Sequence, residues 1–180
     1  ALSAAFKAAK KEDATIIDGY AFDGTTYDVN GLYQGAGNTY GGASFATAGN
    51  PTKALAGAYA ELETDDVPIG KMNLVLHPDQ RAELRYLRSA NGVKEEPEVL
   101  DALNGGAIYT TKVLTTGTAL VLPAIEQAAG FFDFFLGVDW TTEHGIDSEH
   151  PDTSDLSGRV YSTGVLRIKH SEAICTITGI

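Results

Sequence analysis

The segment MNLVLHPDQRAELRYLR, residues 72–88, limits the fold more than any other part of the chain. Met72, Leu74, Val75 and Leu76 form a nearly continuous apolar run, which demands a strand buried on both faces. Pro78 then stops the strand and suits the first position of a helix. In that helix Ala82, Leu84, Tyr86 and Leu87 are the candidates for burial. Arg81, Arg85 and Arg88 share a flank at i, i+4 and i+7. A strand covered on two sides, running straight into a helix, implies a compact mixed fold of helices and strands.

The flanking segments supply the layers. Leu2, Ala5, Phe6 and Ala9 make an apolar stripe on an amphipathic N-terminal helix, and ATIIDGYAFDG after it reads as a short strand. No cap precedes Ala1, so the helix is expected to continue upstream in a longer natural chain. Residues 19–49 hold eight glycines among Tyr20, Tyr27, Tyr33 and Tyr40, a composition expected to give a long loop pinned by aromatics. Asn50 as N-cap and Pro51 at the first turn open a helix that buries Leu55, Ala58, Tyr59 and Leu62. EEPEVLDALNGG is a second short helix, with Glu95, Glu96 and Glu98 at its positive end and Asn104-Gly105 as its stop. AIYTTKVL and TALVLP read as strands around a TTG turn, followed by a Phe-rich strand over 131–138. TTEHGIDSEHPDTSDLSG is expected to be an exposed acidic loop. The chain then closes with two strands and a hairpin at HSE.

Charge removes several function classes. With 24 acidic against 13 basic side chains and a formal charge of −11, the summed field repels phosphate backbones and anionic lipid heads. The apolar runs are less than half the roughly 20 residues of a membrane-spanning helix. Cys175 is a single cysteine in an alternating strand, the setting of an inert buried thiol. GAGNTYGG lacks the spacing of a dinucleotide-binding turn, and neither a phosphate-binding loop nor a nucleophile elbow occurs. No cofactor and no catalytic residue is expected. His144, His150 and Asp152, with Glu143, Asp147, Glu149 and Asp155, are the best metal candidates, in a spacing that matches no established site. His77 is expected to pack or to cap the helix at Pro78, and His170 to sit in a turn.

The order of these segments resembles that of the Hong Kong 97-type shell proteins, the tailed-virus major capsid proteins and their relatives the encapsulins. LSAAFKAAKKEDATIIDG and VNGLY resemble the family's spine helix and glycine-bearing turn; PTKALAGAYAEL and KMNLVLHPDQRAELRYL resemble its helix, strand and proline-started helix. VLDALNGGAIYTTKVL, TALVLP, FFLGVDWTTEHG and RVYSTGVLRIKHSEAICTI follow in the family's order.

The resemblance implies a Hong Kong 97-like α+β fold with axial and peripheral domains. Residues 1–67 would be peripheral, 68–149 axial, and 150–180 strands returning to the peripheral domain. The family's N-terminal arm and extended loop are expected to be absent from this stretch. It further implies a structural, non-enzymatic shell subunit that assembles with copies of itself into an icosahedral capsid, without a membrane and without sequence-specific nucleic-acid binding. The first reading is a viral or proviral major capsid protein enclosing DNA, assembled in the host cytoplasm into a virion. The alternative is an encapsulin shell enclosing cargo enzymes. Arg81, Arg85 and Arg88 are then candidate contacts with acidic neighbouring subunits. A small metal-binding module or enzyme using His144 and His150 is the remaining, different class. Calorimetric titration with zinc and calcium separates it: the shell reading expects no saturable heat, and a stoichiometric isotherm would move attention to the histidines.

Overall fold

The computed structural model describes residues 2–20, 29–124, 131–146 and 156–180, with 2–5, 20, 29, 132–146 and 156–165 described through their backbone. The elements run α1 (Leu2–Ile17), β1 (Gly19–Tyr20), β2 (Val29–Asn30), β3 (Asn38–Gly41), α2 (Asn50–Thr64), β4 (Met72–Leu76), α3 (Pro78–Tyr86) and α4 (Glu96–Ala102). They continue with β5 (Ile108–Thr110), β6 (Thr118–Pro123), β7 (Phe132–Ile146), β8 (Leu156–Ile168), a 3-10 turn (Ser171–Ala173) and β9 (Cys175–Thr178).

One five-stranded mixed sheet, in the order β3-β9-β6-β4-β5, organises the molecule. β6 is antiparallel to both its neighbours, β4 and β9, whereas the outer strands β5 and β3 pair in parallel with β4 and β9. The apolar runs explain why these strands lie inside. On β4, Met72, Leu74 and Leu76 enter one core while Val75 enters the other; on β6, Ala119 and Val121 oppose Leu120 and Leu122; on β9, Cys175 and Ile177 oppose Ile174 on the residue before it. Strict alternation of side chains sends each strand's apolar residues both ways, so neither face can be left to water.

α2, α3 and α4 cover the first face, through Ala54, Leu55, Ala58 and Leu62, through Leu84, and through Val99 and Leu103. The second face is covered by Leu32, Leu166 and the half-buried Ile16, Ile17, Tyr33 and Ile168, from the end of α1, the turn after β2 and the end of β8. The doubly covered β4 expected from the sequence is therefore present, as are α2 with its stripe and α4 with its stop at Asn104 and Gly105, both at positive φ. The sheet draws strands from each of the three stretches expected from the sequence, 1–67, 68–149 and 150–180.

Several local expectations are corrected. ATII is the last turn of α1 and not a strand, because Ile16 and Ile17 pack on the second core and Gly19, at φ 104, is the first residue that turns the chain away. The stripe on α1 does not pack within the subunit at its described positions: Phe6 is 73% exposed and Ala9 is exposed. The glycine-rich stretch is no simple loop, since it contains β2 and β3, and among its described residues Phe45 is the fully buried aromatic, with Tyr33 and Tyr40 half-buried. The helix cap is Gly49, in the left-handed region at φ 80, while the Asn50 amide donates instead to the Ser44 carbonyl at 2.9 Å.

On α3 the buried residues are Gln80 and Leu84; Ala82 and Tyr86 face solvent, because the helix stops at Tyr86 and meets the core only along its first two turns. β5 and β6 do not pair with each other but flank β4. Residues 141–146 of the expected acidic loop belong to β7, paired with β8; residues 147–155 lie outside the described residues. HSE is the 3-10 turn and not a hairpin, because β8 pairs with β7 while β9 inserts between β3 and β6.

Of the two glycines after α4, Gly105 is set by its positive φ of 84 and Gly106 by close approach. A Cβ on Gly106 would fall 1.5 Å from the Met72 carbonyl oxygen, at the point where Met72 N–H donates to the Leu103 carbonyl at 3.0 Å. Gly106→Ala is expected to lower stability by about 2–3 kcal/mol or more, since backbone and not a flexible side chain must move; urea titration reads it, and an unchanged midpoint would remove the contact. Cys175 is buried, and desolvation, followed by the negative charge of Glu61, pushes its thiol up to about 11. Because a raised thiol pKa keeps the neutral form, alkylation by iodoacetamide at pH 8 should be roughly a hundredfold slower in the native than in the urea-unfolded protein.

Candidate subunit interface

α3 is positioned at its start by His77. The imidazole Nδ1 accepts the Asp79 N–H at 3.3 Å and lies 3.5 Å from the Thr116 hydroxyl, so His77 serves as the helix cap. Gln80, one turn on, is buried against the backbone of 117–118. In the orientation that satisfies both ends of its amide, the oxygen accepts from Gly117 N–H at 2.5 Å and the nitrogen donates to the Thr118 carbonyl at 3.3 Å. These contacts fix which flank of α3 carries the arginines.

The three arginines are not equivalent. Arg81 is committed inside the subunit: its side chain is 20% exposed, it donates to the Ile108 carbonyl on β5, and its Nη2 sits 3.2 Å from Glu96 Oε1. Arg85 is 59% exposed and reaches the same carboxylate more loosely, at 3.7 Å. Arg88 lies beyond the helix, because Leu87 is already extended; it bridges to Lys94 and donates to the Gly92 carbonyl at 3.2 Å. The i, i+4, i+7 flank thus ends at Arg85, and the outward cations are Arg85, Arg88 and Lys94, with Tyr86 between them 85% exposed.

Behind this flank, Glu95 is buried and its Oε1 accepts the Gly49 N–H at 2.7 Å, tying the start of α4 to the start of α2. Placing a carboxylate at the positive end of a 15-residue helix offsets the orphan donors there. Its other oxygen, and Arg81 Nε, are buried with no hydrogen-bond partner.

At the other end of α2 an open cavity of about 500 Å³ is lined by residues 64–67, Phe131, His170 and Glu172. Phe131 and His170 meet edge to face with ring centroids 6.2 Å apart, and His170 stands just before the 3-10 turn, as expected of a turn residue. This hollow has little signature in the sequence, since its lining comes from three separated stretches.

Of the metal candidates, Asp147, Glu149, His150, Asp152 and Asp155 lie outside the described residues, and Glu143 and His144 are placed by backbone alone, on β7 opposite Arg159 and Gly158. Among the described residues no cluster of three or more His, Cys, Asp or Glu could hold a metal, and no helix is long and apolar enough to cross a membrane.

No curated protein matches the chain in sequence. Among solved structures, the virus-like particle from Pyrococcus furiosus superposes with a TM-score of 0.65 at 18% identity, over 94% of this chain and 63% of that one. The capsid of Myoviridae phage XM1 gives 0.67 at 13% identity, over 99% and 65%. Mycobacterium phage Ogopogo gives 0.65 at 16% identity, over 96% and 64%. The chain therefore spans less than two thirds of the length of these structures, and the likeness establishes a Hong Kong 97-type shell fold. The family model for the encapsulating protein for peroxidase matches residues 1–153. With most of its length inside that match, and the mixed sheet of a shell subunit around it, the chain belongs to the family of encapsulating proteins.

Proposed function

We propose that the protein is a structural subunit that assembles with copies of itself into a closed icosahedral shell, and that it acts as a wall and not as a catalyst. The observation that carries this is the match of nearly the whole chain to capsid subunits, joined to a family match over residues 1–153. In this reading the five-stranded sheet with α2, α3 and α4 is the axial body, built on 68–124 and completed by β3, α2 and β9 from the stretches expected to be peripheral. α1 and the β7–β8 ribbon are peripheral, and the outward arginines Arg85 and Arg88 contact acidic neighbours. A closed shell repeats each contact many times, so surface ion pairs of roughly 0–1 kcal/mol each suffice.

Two contents fit. As a major capsid protein of a virion assembled in the host cytoplasm, the shell would enclose DNA; an acidic wall offers the duplex few cations and lets it slide. The description of the matched family favours the second reading, a compartment around a cargo enzyme.

Negative-stain microscopy of the full-length protein tests the shell. Uniform hollow particles are expected, with nuclease-protected DNA inside for the first content and a co-purifying protein for the second. A discrete small oligomer at high concentration would overturn the shell itself.

A further inference from the structure

We infer that neighbouring copies of this chain meet head to tail, the outward face of α3 in one subunit seating against the acidic hollow at the end of α2 in the next. This rests on the shell reading and adds to it the two surfaces and their order.

The two surfaces lie at opposite edges of one sheet. Arg81 ties α3 to the Ile108 carbonyl at the β5 edge. The hollow sits at the β3 edge, where the Glu172 carbonyl accepts from the Asn38 amide at 2.7 Å. A patch on one edge cannot meet its own copy across a two-fold axis without leaving the other edge bare. Two different, complementary edges instead define a heterologous contact, the kind that closes into rings.

Their chemistry is complementary. Arg85, Arg88 and Lys94 surround a tyrosine that is 85% exposed, a pairing of arginine and aromatic typical of interface cores. Opposite, Glu61, Glu63, Asp65 and Asp66 crowd the C-terminal end of α2, which has no basic residue in its last turn. Carboxylates there add to the negative end of the helix dipole, and among the described residues Asp65, Asp66 and Glu172 form no ion pair. Lys71 and Lys169, the nearest cations along the chain, hold interactions of their own. A cation from a neighbour would lower the energy of this helix end. The Phe131 and His170 rings add an aromatic wall against which a guanidinium can lie.

Charge reversal in the full-length protein tests the contact, with circular dichroism and melting temperature confirming the fold. Arg85→Glu with Arg88→Glu, and separately Asp65→Lys with Asp66→Lys, should each cut the assembled fraction by about tenfold or more at low salt. Combining all four should restore it, because each reversed edge then faces a reversed partner. Particles that form unchanged from either double variant, or a combined variant that stays unassembled, would overturn the contact while leaving the shell reading standing. A wild-type protein that never assembles would remove both. Should a reversed variant fail to fold, the pair Arg88→Cys and Asp66→Cys decides. Oxidised particles should give a ladder of linked subunits on non-reducing gels, and monomers alone would overturn the contact.

Discussion

Everything in this subunit depends on the burial of β6. Ala119, Leu120, Val121 and Leu122 alternate between two cores, and a strand of this composition is stable only if helices cover one face and the α1 and β8 ends cover the other. At about 25 cal/mol per Å² of apolar surface removed from water, four such side chains supply several kcal/mol, but only while both layers stay in place. The helical layer and the ends of α1 and β8 are thereby coupled through the sheet. Loosening either one exposes the same strand.

Much of this was legible in the sequence, and the reasons are particular. β4 announced itself because a strand with two buried faces has no polar alternation to disguise it, and α2 because its stripe is uninterrupted from Ala54 to Leu62. α4 was bounded by acids at its start and by Asn104 and Gly105 at its end. What local pattern could not reveal was pairing across distance. β3 is polar and glycine-flanked, and it becomes a strand only because Asn38 to Gly41 pair in parallel with Cys175 to Thr178. The same competition defeated the hairpin at HSE: β9 gains more by filling the gap between β3 and β6 than by folding back on β8.

The arginine flank was half legible. Spacing placed Arg81 and Arg85 on one helix flank, but spacing alone cannot say that Glu96 and the Ile108 carbonyl would claim Arg81, or that the helix would stop before Arg88. Tyr86, expected among the buried residues of α3, faces outward because the helix leaves the sheet after Leu84. The acidic hollow gave no motif, since its carboxylates and rings come from the end of α2, from Phe131 and from the turn at His170. Sites assembled from separated stretches are visible only after the chain has folded.

The place of β9 between β3 and β6 has a consequence for the order of synthesis. When a ribosome has made α2, α3, α4 and β6, the growing chain can already pair β4 with β5 and β6, yet β3 has no strand beside it until residues 175–178 emerge. The edge of β6 stays open through that interval, an apolar template to which another chain could pair. Long-range parallel pairing is also slow to form. The β3 edge is thus completed only after residues 175–178 have been made, so a nascent chain cannot offer that edge before its own sheet is whole.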